Sequence, residues 1–491
     1  MTRALTAALG AVLFFVVATA NSGGYRYGAS DQAFYVPAVA AELNPALFPR
    51  DRALLAPQMR LWAGGHVLAA AARLAGGDLP AVFLAVYVLS LLLLAAGGIV
   101  LARSLGCDWW TVATFLVLLT LRHRIAKTGA NSLEGYMHPR MLAFACGLFV
   151  LAAMVQRRWW LAAGATAIVA IIHPTTAIWF GGVLVLGAAW QWRHERRLWI
   201  CAAVALSAGL LVAMFAGSAR LTRMDAAWLQ VLGDKDYLFS ADWPLYAWAI
   251  NLSYPAIVIA LYRRRQFLGV TRPGETALVA GVLGVVLAFL LTLPLTQARI
   301  ALVVQLQINR VFWLLDVTAM LYVAWWICAL AARAWPGRGR ALLAAILLTM
   351  ACVRGYYVLH VQTGRPLIQE ALAATPWTDV MAWLEQQPAS WHVLADPAHG
   401  WKYGSSVRVA ALRDTVLESG KDSAMAMYDR GVASRVFERA RALATFDDLR
   451  LDDIQRLDAQ YGLDVFVDRA DRAFPLPELY RNAQFVVYDL R

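Results

Sequence analysis

Asp31 is the acidic residue whose position most strongly suggests chemistry. It follows the first apolar segment closely, in the stretch YRYGASDQAFYVPAVAAELNPALFPR. A carboxylate in such a place can act as a general base. Alternatively, Ser30 caps a helix that begins at Asp31, and the carboxylate only helps to cap this helix at the membrane surface. The residues alone leave both interpretations open.

Basic side chains cluster near the ends of several later apolar segments. Arginine suits phosphate binding because its planar guanidinium donates hydrogen bonds in pairs and stays charged in an apolar setting. In the alternative interpretation the arginines contact lipid headgroups or water, and the two histidines are helix-start residues before prolines. The candidate phosphate ligands are Arg140, Arg220, Arg223, Arg299, Arg310, His138 and His173.

An acid and several aromatic residues could bind a sugar. A glutamate in NSLEGYMHPR can accept hydrogen bonds from sugar hydroxyls or from its own loop, and aromatic rings can stack on sugars or form a membrane-interface belt. The candidates are Glu134, Trp228, Tyr237 and Trp243. The five cysteines have no metal-ligand spacing and are interpreted as structural thiols. We predict no metal-binding residues and no cofactor, and leave open whether the protein requires a metal.

The composition identifies a membrane protein. Of the 491 residues 60% are hydrophobic and 15% are charged, whereas soluble globular proteins have about 45–50% apolar and about 25% charged residues. Residues 365–491 carry a net charge of −4 and the preceding residues one of +16. The arginines punctuate apolar segments instead of forming one polar stripe, which argues against a nucleic-acid partner.

A membrane span needs about 20 apolar residues, and eleven segments approach this length. Segment 57–76 contains three basic residues and is interpreted as a helix in the outer interface. The arginine-dense loops 193–197 and 263–265 place the N-terminus inside and the C-terminus outside. Asp316 lies within a span, where an ion pair with Arg310 or Arg299 competes with a functional role. The predicted spans are 4–20 (a retained anchor in preference to a signal peptide), 80–102, 108–121, 139–155, 159–173, 174–191, 198–216, 245–262, 275–292, 311–332 and 341–360.

The predicted fold is a polytopic α-helical membrane protein of about eleven transmembrane helices with a C-terminal soluble α/β domain. Residues 1–364 form the membrane domain, whose first outer loop covers 21–79 and carries interfacial helices, and residues 365–491 form the extracytoplasmic domain. Helical spacing is found at 421–445 and 451–461. Strand-like runs occur at 391–395, 407–412, 464–468 and 485–489.

The stretch after the first span resembles the first outer loop of the C-type (GT-C) membrane glycosyltransferases, which include protein O-mannosyltransferases and lipid A aminoarabinose transferases. Asp31-Gln32 matches the acidic pair of that family, with Gln32 in place of the second acid. Residues 33–35 and 38–43 resemble the helix that follows, and residues 44–49 resemble its closing turn. The resemblance extends in outline to the eleven-span layout and the outer tail.

This resemblance implies a membrane glycosyltransferase that transfers a sugar from an isoprenoid-phosphate donor to an acceptor at the extracytoplasmic face, with Asp31 as general base. The implied partners are a polyprenyl-phosphate-linked sugar, the lipid bilayer and an unidentified acceptor, in a bacterial inner membrane and without nucleic acid. Two alternatives stay open. One is a transporter or flippase of a lipid-linked saccharide, which predicts repeated halves around a midplane site; the other is a non-catalytic membrane scaffold.

Overall fold

The computed structural model of the chain describes residues 2–195 and 221–491. The helices are α1 Thr2–Asn21, α2 Gln32–Leu43, α3 Arg52–Leu61, α4 Gly64–Leu74, α5 Leu79–Ser104, α6 Trp109–Leu119, α7 Pro139–Val155, α8 Trp159–Ile172, α9 Pro174–Gln191, α10 Ala226–Val231, α11 Leu245–Phe267, α12 Glu275–Gln297, α13 Ala301–Leu306, α14 Val311–Ala334, α15 Gly339–Tyr356, α16 Pro376–Glu385, α17 His399–Lys402, α18 Val407–Ala410, α19 Lys421–Ala426, α20 Arg430–Ala442 and α21 Leu451–Tyr461. The strands are β1 Tyr25–Arg26, β2 Arg124–Ile125, β3 Ala130–Asn131, β4 Ile368–Gln369, β5 His392–Leu394, β6 Asp414–Thr415, β7 Val465–Arg469, β8 Glu478–Arg481 and β9 Phe485–Asp489.

The chain divides into two compact units. The helical unit contains residues Met1–Tyr25, Val86–Met224 and Asp236–Ile368. The sheet unit contains Arg26–Ala85, Asp225–Lys235 and Gln369–Arg491. Most of the first outer loop thus belongs to the same compact unit as the C-terminal residues.

The helical unit makes the protein an integral membrane protein. Within the described residues, six helical segments are long and apolar enough to cross a membrane: α1, α5, α11, α12, α13 with α14, and α15 with its continuation to Gln362. Each predicted span other than 198–216, which lies outside the described residues, coincides with a helix, although α6, α7 and α8 are shorter than a full crossing. Large apolar side chains such as Leu9, Trp160 and Leu291 are exposed, as a surface that faces lipid requires.

Helices α9 and α12 pack closely because glycines face the neighbouring backbone. A Cβ atom on Gly187 would meet the carbonyl oxygen of Ala277, and one on Gly281 would meet that of Val183. Small residues allow such close approach between membrane helices. This register makes the two helices antiparallel, so α9 ends beside the start of α12. Near the other end of α12, the amide of Met224 donates a hydrogen bond to the carbonyl of Arg299 at 2.9 Å.

The first outer loop differs from the prediction in two details. The expected helix over 57–76 is two helices, α3 and α4, because Trp62 leaves the helical conformation and packs its buried ring edge-on against Tyr35, 4.9 Å between centroids. Helix α2 begins at Gln32, after Ser30 has adopted a left-handed φ of 52°. Asp31 stands at the N-cap position, but its carboxylate makes no capping hydrogen bond.

The sheet unit contains a five-stranded mixed sheet in the order β6-β5-β7-β9-β8. Strand β5 pairs in parallel with β6 and β7, and β9 pairs antiparallel with β7 and β8. The predicted strands near 391–395, 464–468 and 485–489 are present, as are helices within 421–445 and 451–461. The strand predicted at 407–412 is wrong: the segment forms the short helix α18, whose start Ser406 caps by accepting from the amide of Arg408 at 3.2 Å.

Candidate functional site

Asp31 forms an ion pair inside the sheet unit. Its Oδ1 accepts a hydrogen bond from Nζ of Lys421 at 3.0 Å. The side chain of Asp31 is 32% exposed and that of Lys421 is 22% exposed, so the pair is shielded but reachable from solvent. The ammonium also lies 5.6 Å from the ring centroid of Phe34. The sequence did not predict Lys421 as the partner of Asp31. Its only clue is that lysine is rare, with four lysines among the 44 basic residues.

A buried ionic network joins the first outer loop to the C-terminal residues within the same unit. The carboxylate of Asp51 is fully buried, accepts from Nε of Arg408 at 2.8 Å, and pairs with Arg435. Burial raises the pKa of Asp51, but the two guanidinium groups lower it more, to about 2. Asp414 accepts from the amides of Arg50 and Asp51, at 2.9 and 3.0 Å. Burial and the charge of Asp51 raise the pKa of Asp414 to about 6.

In the helical unit Glu134 is held by protein donors. Its side chain is 3% exposed. Nη2 of Arg140 donates to it at 3.2 Å, Nδ2 of Asn131 lies 3.1 Å from both oxygens, and Nη2 of Arg122 is at 3.8 Å. The guanidinium of Arg140 also lies over the ring of Trp313. Because this buried pair fixes the guanidinium, Glu134 orients Arg140.

His138 and His173 cap the starts of α7 and α9. Nδ1 of His138 accepts from the amide of Arg140 at 3.0 Å, and Nδ1 of His173 accepts from the amide of Thr176 at 3.3 Å. An imidazole whose Nδ1 accepts carries its proton on Nε2, so each ring presents Nε2–H as a donor. The two ring centroids are 6.4 Å apart.

Arg310 completes a cluster at this end of the helical unit. Its charge and that of Arg140 both act on His173. Nε of Arg310 donates to the carbonyl of Thr128 at 3.3 Å, and its guanidinium lies 6.0 Å from the ring centroid of Tyr237. We call Arg140, Arg310, His138 and His173 the cationic cluster.

The other predicted site residues make different contacts. Arg299 pairs with exposed Asp242 at 2.6 Å, and Arg223 is exposed beside Ile300. Trp243 is buried against Trp248, Phe289 and Phe312. Trp228 belongs to the sheet unit, where its Nε1 donates to the carbonyl of Ala426 at 2.8 Å. Arg220 lies outside the described residues.

A charged histidine near the membrane surface was not predicted. Nδ1 of His123 lies 2.9 Å from the carbonyl of Leu121, and Nε2 lies 3.0 Å from Oδ2 of Asp316. Both ring nitrogens face acceptors, so the ring is an imidazolium. Burial lowers the pKa of His123, but the hydrogen bond and charge of Asp316 raise it above its usual value. Asp316 therefore pairs with His123, whereas one alternative from the sequence was a pair with Arg310 or Arg299.

Among the residues that the structure describes, no group of three or more His, Cys, Asp or Glu side chains could hold a metal ion.

Comparison with known proteins gives structural neighbours alone. No protein-family model matches the chain. No curated protein matches it either. The apo form of the Archaeoglobus fulgidus oligosaccharyltransferase is 11% identical, with a TM-score of 0.47, and the match covers 94% of this chain and 69% of that one. The AglB complex with an inhibitory peptide and a dolichol-phosphate is 12% identical, with a TM-score of 0.44 and coverage of 95% and 70%. These solved structures, to which the chain is similar, are glycosyltransferases of the GT-C fold.

Proposed function

We propose that the protein is a GT-C-type glycosyltransferase that transfers a sugar from an isoprenoid-phosphate donor to an acceptor at the extracytoplasmic face of a bacterial inner membrane. The observation that carries the proposal is the cationic cluster. Two arginines and two histidines, from helix starts far apart in the sequence, meet at one end of a bundle of apolar helices. A lipid-linked phosphate presents its anionic headgroup at the ends of such helices while its chain stays in lipid.

Each group of the cluster has a role in this reaction. The guanidinium groups of Arg140 and Arg310 bind phosphate oxygens through charge-assisted hydrogen bonds, and the Nε2–H donors of the two histidines add neutral ones. These donors stabilise the charge that develops on the departing phosphate. Glu134 keeps Arg140 in place, and Tyr237, whose ring lies near Arg310, is an aromatic sugar-binding candidate beside the cluster.

Asp31 supplies the base. Its carboxylate takes the proton of the acceptor hydroxyl or amine as the acceptor attacks the sugar. The departing lipid phosphate needs no proton because it is already a stable anion. A base and a set of phosphate ligands are therefore sufficient for the transfer.

Substitution of Asp31 tests this function. Vesicles that contain the purified protein are supplied with a panel of polyprenyl-phosphate sugars and with cell-envelope extract as acceptor. We expect Asp31→Asn to lose transfer by about 100-fold or more without a change in melting temperature. The matched control is Glu42→Gln, an acid of the same loop that is paired with His66 at 3.3 Å; it should keep activity.

Full activity of Asp31→Asn would contradict the proposed mechanism. A wild-type protein that moves labelled lipid-linked saccharide between leaflets, but transfers no sugar, would favour the flippase alternative instead.

A further inference from the structure

Lys421 links the C-terminal residues directly to the proposed base. Besides its 3.0 Å bond to Asp31, its ammonium lies 3.5 Å from Oγ of Ser30. Ser30 has left-handed backbone geometry that turns the chain immediately before α2. One ammonium therefore contacts two adjacent residues at the start of this helix.

A separate buried network already fixes the position of Lys421. The next residue, Asp422, accepts from both terminal nitrogens of Arg408, at 2.6 and 3.0 Å. The same guanidinium binds Asp51 of the first outer loop through Nε. Gly420, with a φ of 79°, turns the chain into α19 just before the lysine.

The Asp31–Lys421 pair is therefore not needed to hold the first outer loop against the C-terminal residues. The buried Arg408–Asp51 pair dominates the joint between the first outer loop and the C-terminal residues, because a single partly exposed pair contributes little to stability. The lysine is nevertheless held with its ammonium against the one carboxylate to which we assign proton transfer. A lysine is suited to a mobile role because it carries a compact charge on a flexible stem.

We propose that Lys421 is a further residue of the active site, which exchanges partners during the reaction. Without donor, its ammonium holds the carboxylate of Asp31. When the donor binds, the phosphate competes for the ammonium, and Asp31 becomes available as a base. This inference rests on the proposed function and deepens it: it assigns a phosphate ligand to the C-terminal residues and makes base activation depend on donor binding.

The chemical step balances without a further reactant. The acceptor oxygen or nitrogen forms a bond to the anomeric carbon, the bond from that carbon to the phosphate oxygen breaks, and its electron pair leaves with the lipid phosphate. The acceptor proton moves to Asp31. The lipid phosphate gains one negative charge, which the ammonium of Lys421 stabilises.

Binding of undecaprenyl phosphate, with inorganic phosphate and undecaprenol in parallel, tests the exchange in the purified full-length protein. We expect Lys421→Met to weaken binding of the lipid phosphate about 10-fold or more, as loss of a charge-assisted hydrogen bond implies, and to leave undecaprenol binding unchanged. Lys421→Arg should restore binding to within about 3-fold. Lys402→Met, which breaks the tail ion pair with Asp396, is the matched control and should bind like wild type.

The variant Asp31→Asn should change the affinity for undecaprenyl phosphate in the opposite direction. If the carboxylate and the phosphate compete for one ammonium, this variant should bind undecaprenyl phosphate about 3-fold or more tightly than wild type. A purely structural pair would give unchanged or weaker binding and would overturn the proposal. Equal losses for inorganic and lipid phosphate in Lys421→Met would assign the ammonium to a soluble phosphate and overturn the donor assignment.

The two proposals fail separately. If Asp31→Asn abolishes transfer but Lys421→Met binds the lipid phosphate normally, the partner exchange is wrong and the glycosyltransferase stands. If Asp31→Asn transfers normally while the binding changes occur as described, Lys421 binds phosphate but Asp31 is not the base.

Discussion

At the scale of single residues, the side chain of Arg140 combines burial with a fixed orientation. Its guanidinium is buried, bound to Glu134 and stacked near Trp313. A lysine at this position would keep the charge but lose the planar fork that can contact a carboxylate and a phosphate together.

We therefore expect Arg140→Lys to weaken binding of undecaprenyl phosphate about 10-fold while the protein stays folded. Titration of the purified protein in detergent measures this change. Arg263→Lys, at an exposed position at the other end of the helical unit, is the control and should leave the affinity unaltered. Equal affinity of Arg140→Lys and wild type would remove Arg140 from the phosphate site.

Residue type and local position predicted part of the candidate site. Histidines before prolines at helix starts, and an arginine directly after one such pair, were identifiable because each signal lies within a few residues. Lys421 and the His123–Asp316 pair were not, since 390 and 193 residues separate the partners. No local pattern marks a contact that the fold alone creates.

At the scale of elements, the sequence predicted strands where β-branched and aromatic residues are buried in the sheet, as in β7 and β9. It failed at 407–412, although Val407 and Val409 have the side chains of a strand. There the Ser406 cap and the buried bonds of Arg408 to Asp51 and Asp422 outweigh the local preference. A six-residue segment follows its tertiary partners more readily than its own propensity.

Strand β5 also carries a group whose proton binding should govern acid stability. Burial lowers the pKa of His392 to about 4; the charge of Asp51 opposes this shift, and those of Arg50 and Arg439 add to it. The unfolded chain binds this proton near pH 6.5. The stability that neutral His392 contributes is therefore complete above pH 6.5 and is lost between pH 6.5 and 4, by about 3 kcal/mol at most.

We expect the melting temperature of the wild type to fall between pH 7 and pH 4.5 by more than that of His392→Gln, as followed by intrinsic fluorescence. Asp414, whose pKa is raised, acts in the opposite direction in the wild type and in this variant, so the difference between the two isolates His392. His66→Gln, at an exposed position, is the control. A parallel fall in wild type and His392→Gln would show that His392 is protonated in the folded state.

At the scale of the whole molecule, the sequence indicated a membrane part and a C-terminal domain that meet near residue 364. The compact sheet unit, however, includes Arg26–Ala85 and Asp225–Lys235 as well as the C-terminal residues. Its joint consists of loop acids and tail bases: Asp31 with Lys421, and Asp51 with Arg408 and Arg435. Residues 365–491 have a net charge of −4 although they contain these bases. The composition alone therefore did not predict the joint.

The helical unit has two chemically different ends, and this difference predicts its orientation. The cationic cluster occupies one end. At the other, Arg265 binds Glu275 and the carbonyl of Leu105, and Arg340 binds Asp108. The short loops at that second end are dense in arginine, and such loops stay in the cytoplasm.

We accordingly expect alkaline phosphatase fused after Arg491 to be active and green fluorescent protein at the same position to be dark, because the predicted orientation places the C-terminus outside. Fusions after Leu268, in the loop between α11 and α12, should give the reverse pattern and serve as the internal control. The result depends on which end of the helical unit faces the cytoplasm, and not on the number of membrane crossings. A fluorescent C-terminal fusion would place the cationic cluster in the cytoplasm, and the donor phosphate would then have to be bound from that side.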